Sequence, residues 1–95
     1  MRLELEPDED LAALVRGAVG ESLVVVIPST LDALAMAQAR AIIGPLAVEL
    51  APATRVNAVV PAEDCDPVDV DTAVAFLESA PSTTGQLLQI QKRDH

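Results

Sequence analysis

Hydrophobic and polar positions along the chain follow two periods, which together predict four strands and three helices. Leucines alternate with charged residues over 2–6, the pattern of a short, half-buried strand. Residues 23–27 are apolar without interruption, which is typical of a central parallel strand covered on both faces. Residues 55–60 predict a third strand, and residues 86–90, which follow Gly85, predict the last one.

Two shorter helices have clear boundary signals. Pro7 ends the first strand, and the acidic run 8–10 suits the first turn of a helix that stops at Gly20. Asp66 followed by Pro67 predicts an N-cap and a proline at the first position of the last helix. The inner faces predicted by helical spacing are Leu11, Leu14, Val15, Ala18 and Val19 in the first helix, and Val70, Ala73, Val74 and Leu77 in the last.

The longest predicted element is a helix over residues 30–51 with no coherent polar face. At 100° per residue its polar side chains scatter around the axis; they are Thr30, Asp32, Gln38, Arg40 and Glu49. A helix that is apolar nearly all round is either buried nearly all round or docked against another chain. We predict that residues 29 and 30 form its N-cap, and that Gly44–Pro45 kinks or loosens it.

The order of elements, βαβαβαβ, predicts an α/β fold with one small, mainly parallel sheet and right-handed crossovers. Residues 1–90 are expected to form one domain, and residues 91–95 a polar tail. Right-handed crossovers that advance in one direction place all helices on one face. The opposite face of residues 23–27 would then stay open and need cover from another molecule.

Composition narrows the classes of partner and compartment. The net charge is -9, from 15 acidic and 6 basic residues, which argues against binding to nucleic acid or to an anionic membrane. No run of 18 apolar residues and no secretory leader is evident, so we expect a cytoplasmic protein that does not enter a membrane. The single cysteine, Cys65, lies between Asp64 and Asp66, where like charge opposes a reactive thiolate.

The acidic residues near the last helix do not predict a metal site. They are Asp64, Asp66, Asp69 and Asp71, and they lack the glycine and the terminal glutamate of a calcium loop. A helix N-cap and a solvated first turn account for them, so no metal is expected.

Three segments carry a resemblance to a known family. Residues 46–52 are Leu-Ala-Val-Glu-Leu-Ala-Pro, residues 55–61 are Arg-Val-Asn-Ala-Val-Val-Pro, and residues 84–86 are Thr-Gly-Gln. Together they resemble the C-terminal half of short-chain dehydrogenase/reductases, especially the bacterial 3-oxoacyl-carrier-protein reductases, over residues 22–90. The resemblance implies a Rossmann-type sheet that lacks the cofactor-binding first half.

The same resemblance implies that the catalytic groups are missing. By the family's spacing, Asp32 stands at the position of the catalytic tyrosine and Met36 at that of the lysine, and the chain contains no tyrosine. Asp32 is normally ionised at neutral pH and Met36 is uncharged, so neither serves the proton transfer. Ser29 lies too close to Asp32 to match the family's serine, and the four glycines form no dinucleotide-binding turn. No catalytic residue and no cofactor are predicted.

In the family, the retained half builds subunit interfaces. The first hypothesis is therefore a non-catalytic subunit that oligomerises through the long helix, with itself or with a full-length short-chain reductase. Its interface candidates are Ala33, Ala37, Ala41 and Ala47. The second hypothesis is a module that binds a small apolar ligand such as an acyl chain. The third is an oxidoreductase with relocated residues, which the missing motifs disfavour most.

Overall fold

The computed structural model describes residues 1–92, which form seven elements in the predicted βαβαβαβ order. They are β1 (Arg2–Glu4), α1 (Leu11–Gly17), β2 (Ser22–Val26), α2 (Ala33–Leu50), β3 (Arg55–Pro61), α3 (Pro67–Ser79) and β4 (Leu87–Ile90). Residues 93–95 of the predicted tail lie outside the described residues.

The four strands form one parallel sheet in the order β1-β2-β3-β4. In β2 and β3, Val24 pairs with Asn57 and Val25 with Ala58. Every residue of β2 is buried. The uninterrupted apolar run therefore forms a central strand of a parallel α/β sheet, as predicted.

The two faces of the sheet are covered by different helices. One face carries Leu23, Val25 and Ile27 under α1 and α2, whereas the other carries Val24 and Val26 under α3. The expectation that all helices share one face was wrong. Since the strands advance in one direction, the crossover through α3 has the opposite hand from the first two. The chain itself covers the face that we expected to be open.

The helix boundaries confirm some sequence signals and correct others. Asp66 caps α3 by accepting a hydrogen bond from the Val68 backbone N–H, and Pro67 occupies the first turn, as predicted. The N-cap of α2 is Asp32 and not the predicted residues 29 and 30. Val19, expected on the inner face of α1, lies beyond the end of that helix and is 87% exposed.

Helix α2 is continuous through Gly44 and Pro45, so these residues do not end it. Within residues 1–92 it is the one helix whose length and apolar composition match those of a membrane span. Core helices of soluble proteins have the same composition, and α2 places Ala39, Ile43 and Leu46 in the core. It is followed by a cis Ala51–Pro52 peptide bond.

Asn57, a fully buried polar side chain in β3, holds the loop that leads into β4. Its Nδ2 donates a hydrogen bond to the Thr83 carbonyl, and its Oδ1 accepts one from the Gln86 N–H, both at 3.0 Å. Gly85 lies in this loop with a φ of 76°, a conformation that glycine adopts without strain. The asparagine of the Arg-Val-Asn segment therefore joins β3 to the start of β4.

We predict that Asn57→Ala destabilises the fold severely. The substitution leaves the Thr83 carbonyl and the Gln86 N–H without their partner, which should lower the free energy of unfolding by about 2–4 kcal/mol. Urea denaturation followed by circular dichroism measures the change. Gln89→Ala, at an exposed position of β4, should stay within about 0.5 kcal/mol of the parent chain. Equal stabilities of the two variants would contradict this assignment.

Candidate functional site: the outer surface of the long helix

The two positions matched to the family's catalytic pair serve the local structure of α2. Asp32 Oδ1 accepts a hydrogen bond from the Ala35 backbone N–H at 2.7 Å, which satisfies one of the free donors at the start of the helix. Met36, in the next turn, is partly buried against the core. A capping carboxylate and a packed thioether thus occupy this part of the helix.

A small cleft of about 190 Å³ lies beside Met36, at the carboxyl ends of β3 and β4. Its lining consists of Ser29, Met36, Arg40, Val60, Pro61, Ala62, Gln89, Ile90 and Gln91. Ser29 is exposed, and this lining contains no histidine, lysine or carboxylate that would act as its base. Within residues 1–92, the cleft therefore lacks the partners that nucleophilic chemistry at Ser29 would need.

The described part of the chain, residues 1–92, also contains no cluster of three or more metal-ligating side chains. Cys65, partly exposed, is in the reduced form. It packs against the α3 side of the core, where it acts as a small apolar side chain.

The outward side of α2 is apolar, and we call this surface the outer stripe. It consists of Ala33, Leu34, Ala37, Ala41, Pro45 and Val48, which are all exposed. At 100° per residue these positions fall on one side of the helix, opposite the buried side. Leu34 is 70% exposed and Val48 79%. Contiguous apolar surface of this kind is typical of an interaction site.

The four predicted interface alanines differ in exposure because of the way α2 is rotated about its axis. Ala33, Ala37 and Ala41 are exposed and belong to the outer stripe. Ala47 is only 3% exposed and lies in the core, where its Cβ packs close to Gly85. Ala47 therefore supports the chain's own fold, and three of the four candidates remain accessible to a partner.

Next to the outer stripe lies an open groove of about 680 Å³ between α2 and the segment that enters α1. Its lining consists of Leu5, Pro7, Asp8, Glu9, Asp10, Leu11, Ala12, Leu31, Ala35, Gln38, Ala39, Ala41, Ile42 and Pro45. Ala41 and Pro45 belong to both the outer stripe and the groove. The exposed apolar surface of α2 therefore continues from one into the other.

The groove exists because the two helices that share this face differ in length. Helix α1 has 7 residues and spans about 10 Å, whereas α2 has 18 residues and spans about 27 Å. Near their C-terminal ends, Arg16 donates two hydrogen bonds of 2.8 Å to the Glu49 carboxylate. The shorter helix leaves much of α2 without a neighbour.

These hydrogen bonds from Arg16, assisted by its charge, lower the pKa of Glu49 below its ordinary value. A lowered carboxylate pKa stabilises the folded state above the unfolded-state pKa, and this contribution disappears as the pH falls through the lowered value. Both side chains are exposed, so solvent screening keeps the pair's contribution to stability small.

The sequence pattern does not predict the groove or the acidic residues along its edge, which are Asp8, Glu9 and Asp10. Residues 8–10 predict only the start of a helix, and Asp10 confirms this by capping α1 through the Ala13 N–H. The signal available in the sequence is the small number of residues between Pro7 and Gly20. This short segment limits α1 to a length that leaves part of α2 uncovered.

Comparison with families of known proteins identifies one match. The model of a family described as SDR-like, short chain dehydrogenase-like protein, matches residues 5–90. Comparisons with curated proteins and with solved structures give no match.

We predict that Asp32 contributes to stability as a helix cap. Asp32→Ala removes the acceptor for the Ala35 N–H and should lower the free energy of unfolding by about 1 kcal/mol. Asp32→Ser keeps an acceptor at the cap and should retain most of the stability of the parent chain. Urea denaturation of the three proteins tests this, and equal losses in the two variants would assign the effect to charge instead of capping.

Proposed function

The chain belongs to the SDR-like family of short chain dehydrogenase-like proteins, and from this membership and the outer stripe of α2 we propose that it is a non-catalytic subunit that assembles with a partner through α2. The observation that carries the proposal is the outer stripe itself, where Leu34 and Val48 are largely exposed. A partner that covers this surface removes apolar side chains from water, which is the main favourable term in protein association.

The absence of catalysis rests on the roles of two residues. Asp32 is engaged as a helix cap and Met36 is packed against the core, so the pair offers no phenol and no ammonium for proton transfer. The sequence also lacks the glycine-rich turn that holds a dinucleotide. A reductase-like protein without these groups is a pseudoenzyme that needs no cofactor.

The proposed partner is a second copy of the chain or a full-length short-chain reductase. Exposed small side chains at Ala33, Ala37 and Ala41 allow close approach of another helix along the stripe. The proposed compartment is the cytoplasm, because proteins of this family are usually soluble and Arg40 and Glu49 place charges along α2.

The groove supports a second candidate function, the binding of a small apolar ligand such as an acyl chain. Its volume of about 680 Å³ falls within the usual range for small-molecule sites, about 300–1,000 Å³. The buried side chains of Leu5 and Leu11 form part of the apolar floor of the groove. Calorimetric titration with medium-chain acyl compounds tests this function separately from assembly.

We predict that the purified protein is a dimer or a larger oligomer at micromolar concentration, and that Ala37→Glu converts it to a folded monomer. The new carboxylate would be buried without a partner at the interface, at a cost of several kcal/mol. Light scattering measures the mass, and circular dichroism checks the fold.

Two matched substitutions distinguish an interface effect from a fold effect. Ala75→Glu, on the exposed side of α3, introduces the same charge away from α2 and should leave the mass unchanged. Ala47→Glu buries the charge in the core and should unfold the chain. A stable parent monomer in this range of concentration would refute the self-association.

Co-purification from the native cell, followed by mass spectrometry, identifies the natural partner. Recovery of a short-chain reductase with the parent chain, and its loss with Ala37→Glu, would support the mixed assembly. Recovery of the chain only with itself would support the homo-oligomer.

We predict that the double variant Asp32→Tyr/Met36→Lys does not reduce carbonyl compounds with either nicotinamide cofactor. The substitutions place the family's tyrosine and lysine at positions 32 and 36, but the chain still lacks the glycine-rich turn that binds the dinucleotide. Absorbance of the reduced cofactor, monitored with and without protein, measures the rate. Turnover above the protein-free rate would show that the remaining sheet suffices for catalysis.

A further inference from the structure

The groove beside α2 combines an apolar floor with an acidic edge. Leu5 and Leu11 are buried beneath it, while Asp8, Glu9 and Asp10 are exposed along one side. All of its lining residues are apolar, acidic or amide-bearing, and none is basic. An occupant therefore meets apolar surface and negative charge together.

The acidic edge is held in place by hydrogen bonds within its own segment. Glu9 Oε1 accepts from the Glu6 backbone N–H at 3.1 Å, and Asp10 Oδ1 accepts from the Ala13 N–H at 3.2 Å. Each carboxylate has a second oxygen that remains an acceptor. The carboxylates of Glu9 and Asp10 are thus positioned before any occupant arrives, which reduces the entropy lost on binding.

We infer that the groove binds an amphipathic helix of a different protein chain, with lysine or arginine residues beside its apolar face. The inference rests on the proposed function, because the groove and the outer stripe share Ala41 and Pro45. Its lining follows α2 from Ala35 to Pro45, a length of about 15 Å or roughly three helical turns. The basic side chains pair with Asp8, Glu9 and Asp10, and the apolar face covers the floor.

The negative charge of the acidic edge favours a basic helix over a second copy of this chain and over a fatty acid. A second copy has the same net charge of -9 and would on balance bring like charge to the acidic edge. A fatty-acid carboxylate near the edge would meet like charges. A basic helix instead gains from each carboxylate that it approaches.

The test uses a synthetic amphipathic peptide of 18 residues, the same length as α2, with leucine on one face and lysine on both flanks. We expect it to bind the full chain, more weakly as salt is added. The variant Asp8→Asn/Glu9→Gln/Asp10→Asn should weaken binding about tenfold or more. These amides keep the acceptors that hold the segment, so the fold is retained. A peptide with glutamate in place of lysine should not bind.

The variant Glu21→Gln/Glu63→Gln/Asp64→Asn is the matched control, because it removes the same charge at exposed positions outside the groove. It should change the affinity less than about threefold. Equal weakening by both triple variants, or binding of dodecanoate but not of the basic peptide, would overturn the inference. Ala37→Glu lies outside the groove. If Ala37→Glu leaves the mass unchanged while the edge variant loses the peptide, assembly through the outer stripe fails and the groove inference stands.

Discussion

Burial of β2 on both faces is the constraint on which the rest of the structure depends. Its side chains alternate between the α1–α2 face and the α3 face, and none of its residues is exposed. Burying one such aliphatic side chain contributes about 1.5–3 kcal/mol. Exposing Val24, Val26 and Val59 together would therefore cost an amount comparable to the whole stability of a small domain, about 5–15 kcal/mol. This balance explains why α3 packs on the face opposite α1 and α2, although its crossover then has the opposite hand from theirs.

With both faces covered, the core needs only one side of α2. Ala39, Ile43, Leu46 and Ala47 supply that side. Met36, Ile42 and Leu50 pack against the same core. The exposed apolar side chains of the helix form the outer stripe and part of one wall of the groove. A helix that is apolar all round thus serves two surfaces at once. The inner surface is a property of the fold, and the outer one is the basis of the proposed assembly.

The strands and the start of α3 could be predicted from the sequence because their signals are local. Alternation at residues 2–6, the apolar run at 23–27 and the Asp66–Pro67 pair need no knowledge of the rest of the chain. The face chosen by α3 depends on which side of the sheet is still uncovered, which is a tertiary property. The same holds for Ala41 and Ala47, which are both predicted as interface candidates and differ in exposure because packing sets the rotation of α2. The groove arises from the difference in length between two helices and has no motif of its own.

The edges of the sheet determine how such a chain associates with others. An unpaired strand edge is a template for further strands and for aggregation, and short or charged edge strands limit this. Strand β1 has only three residues, and Arg2 forms ion pairs with Glu4 and with Asp71 of α3 at 2.7 Å. Strand β4 has four residues, including the exposed Gln89. Neither edge offers a long apolar ribbon for another sheet to extend. Association of this chain is thereby directed away from backbone pairing and toward contacts between side chains of helices, which are far more selective for one partner.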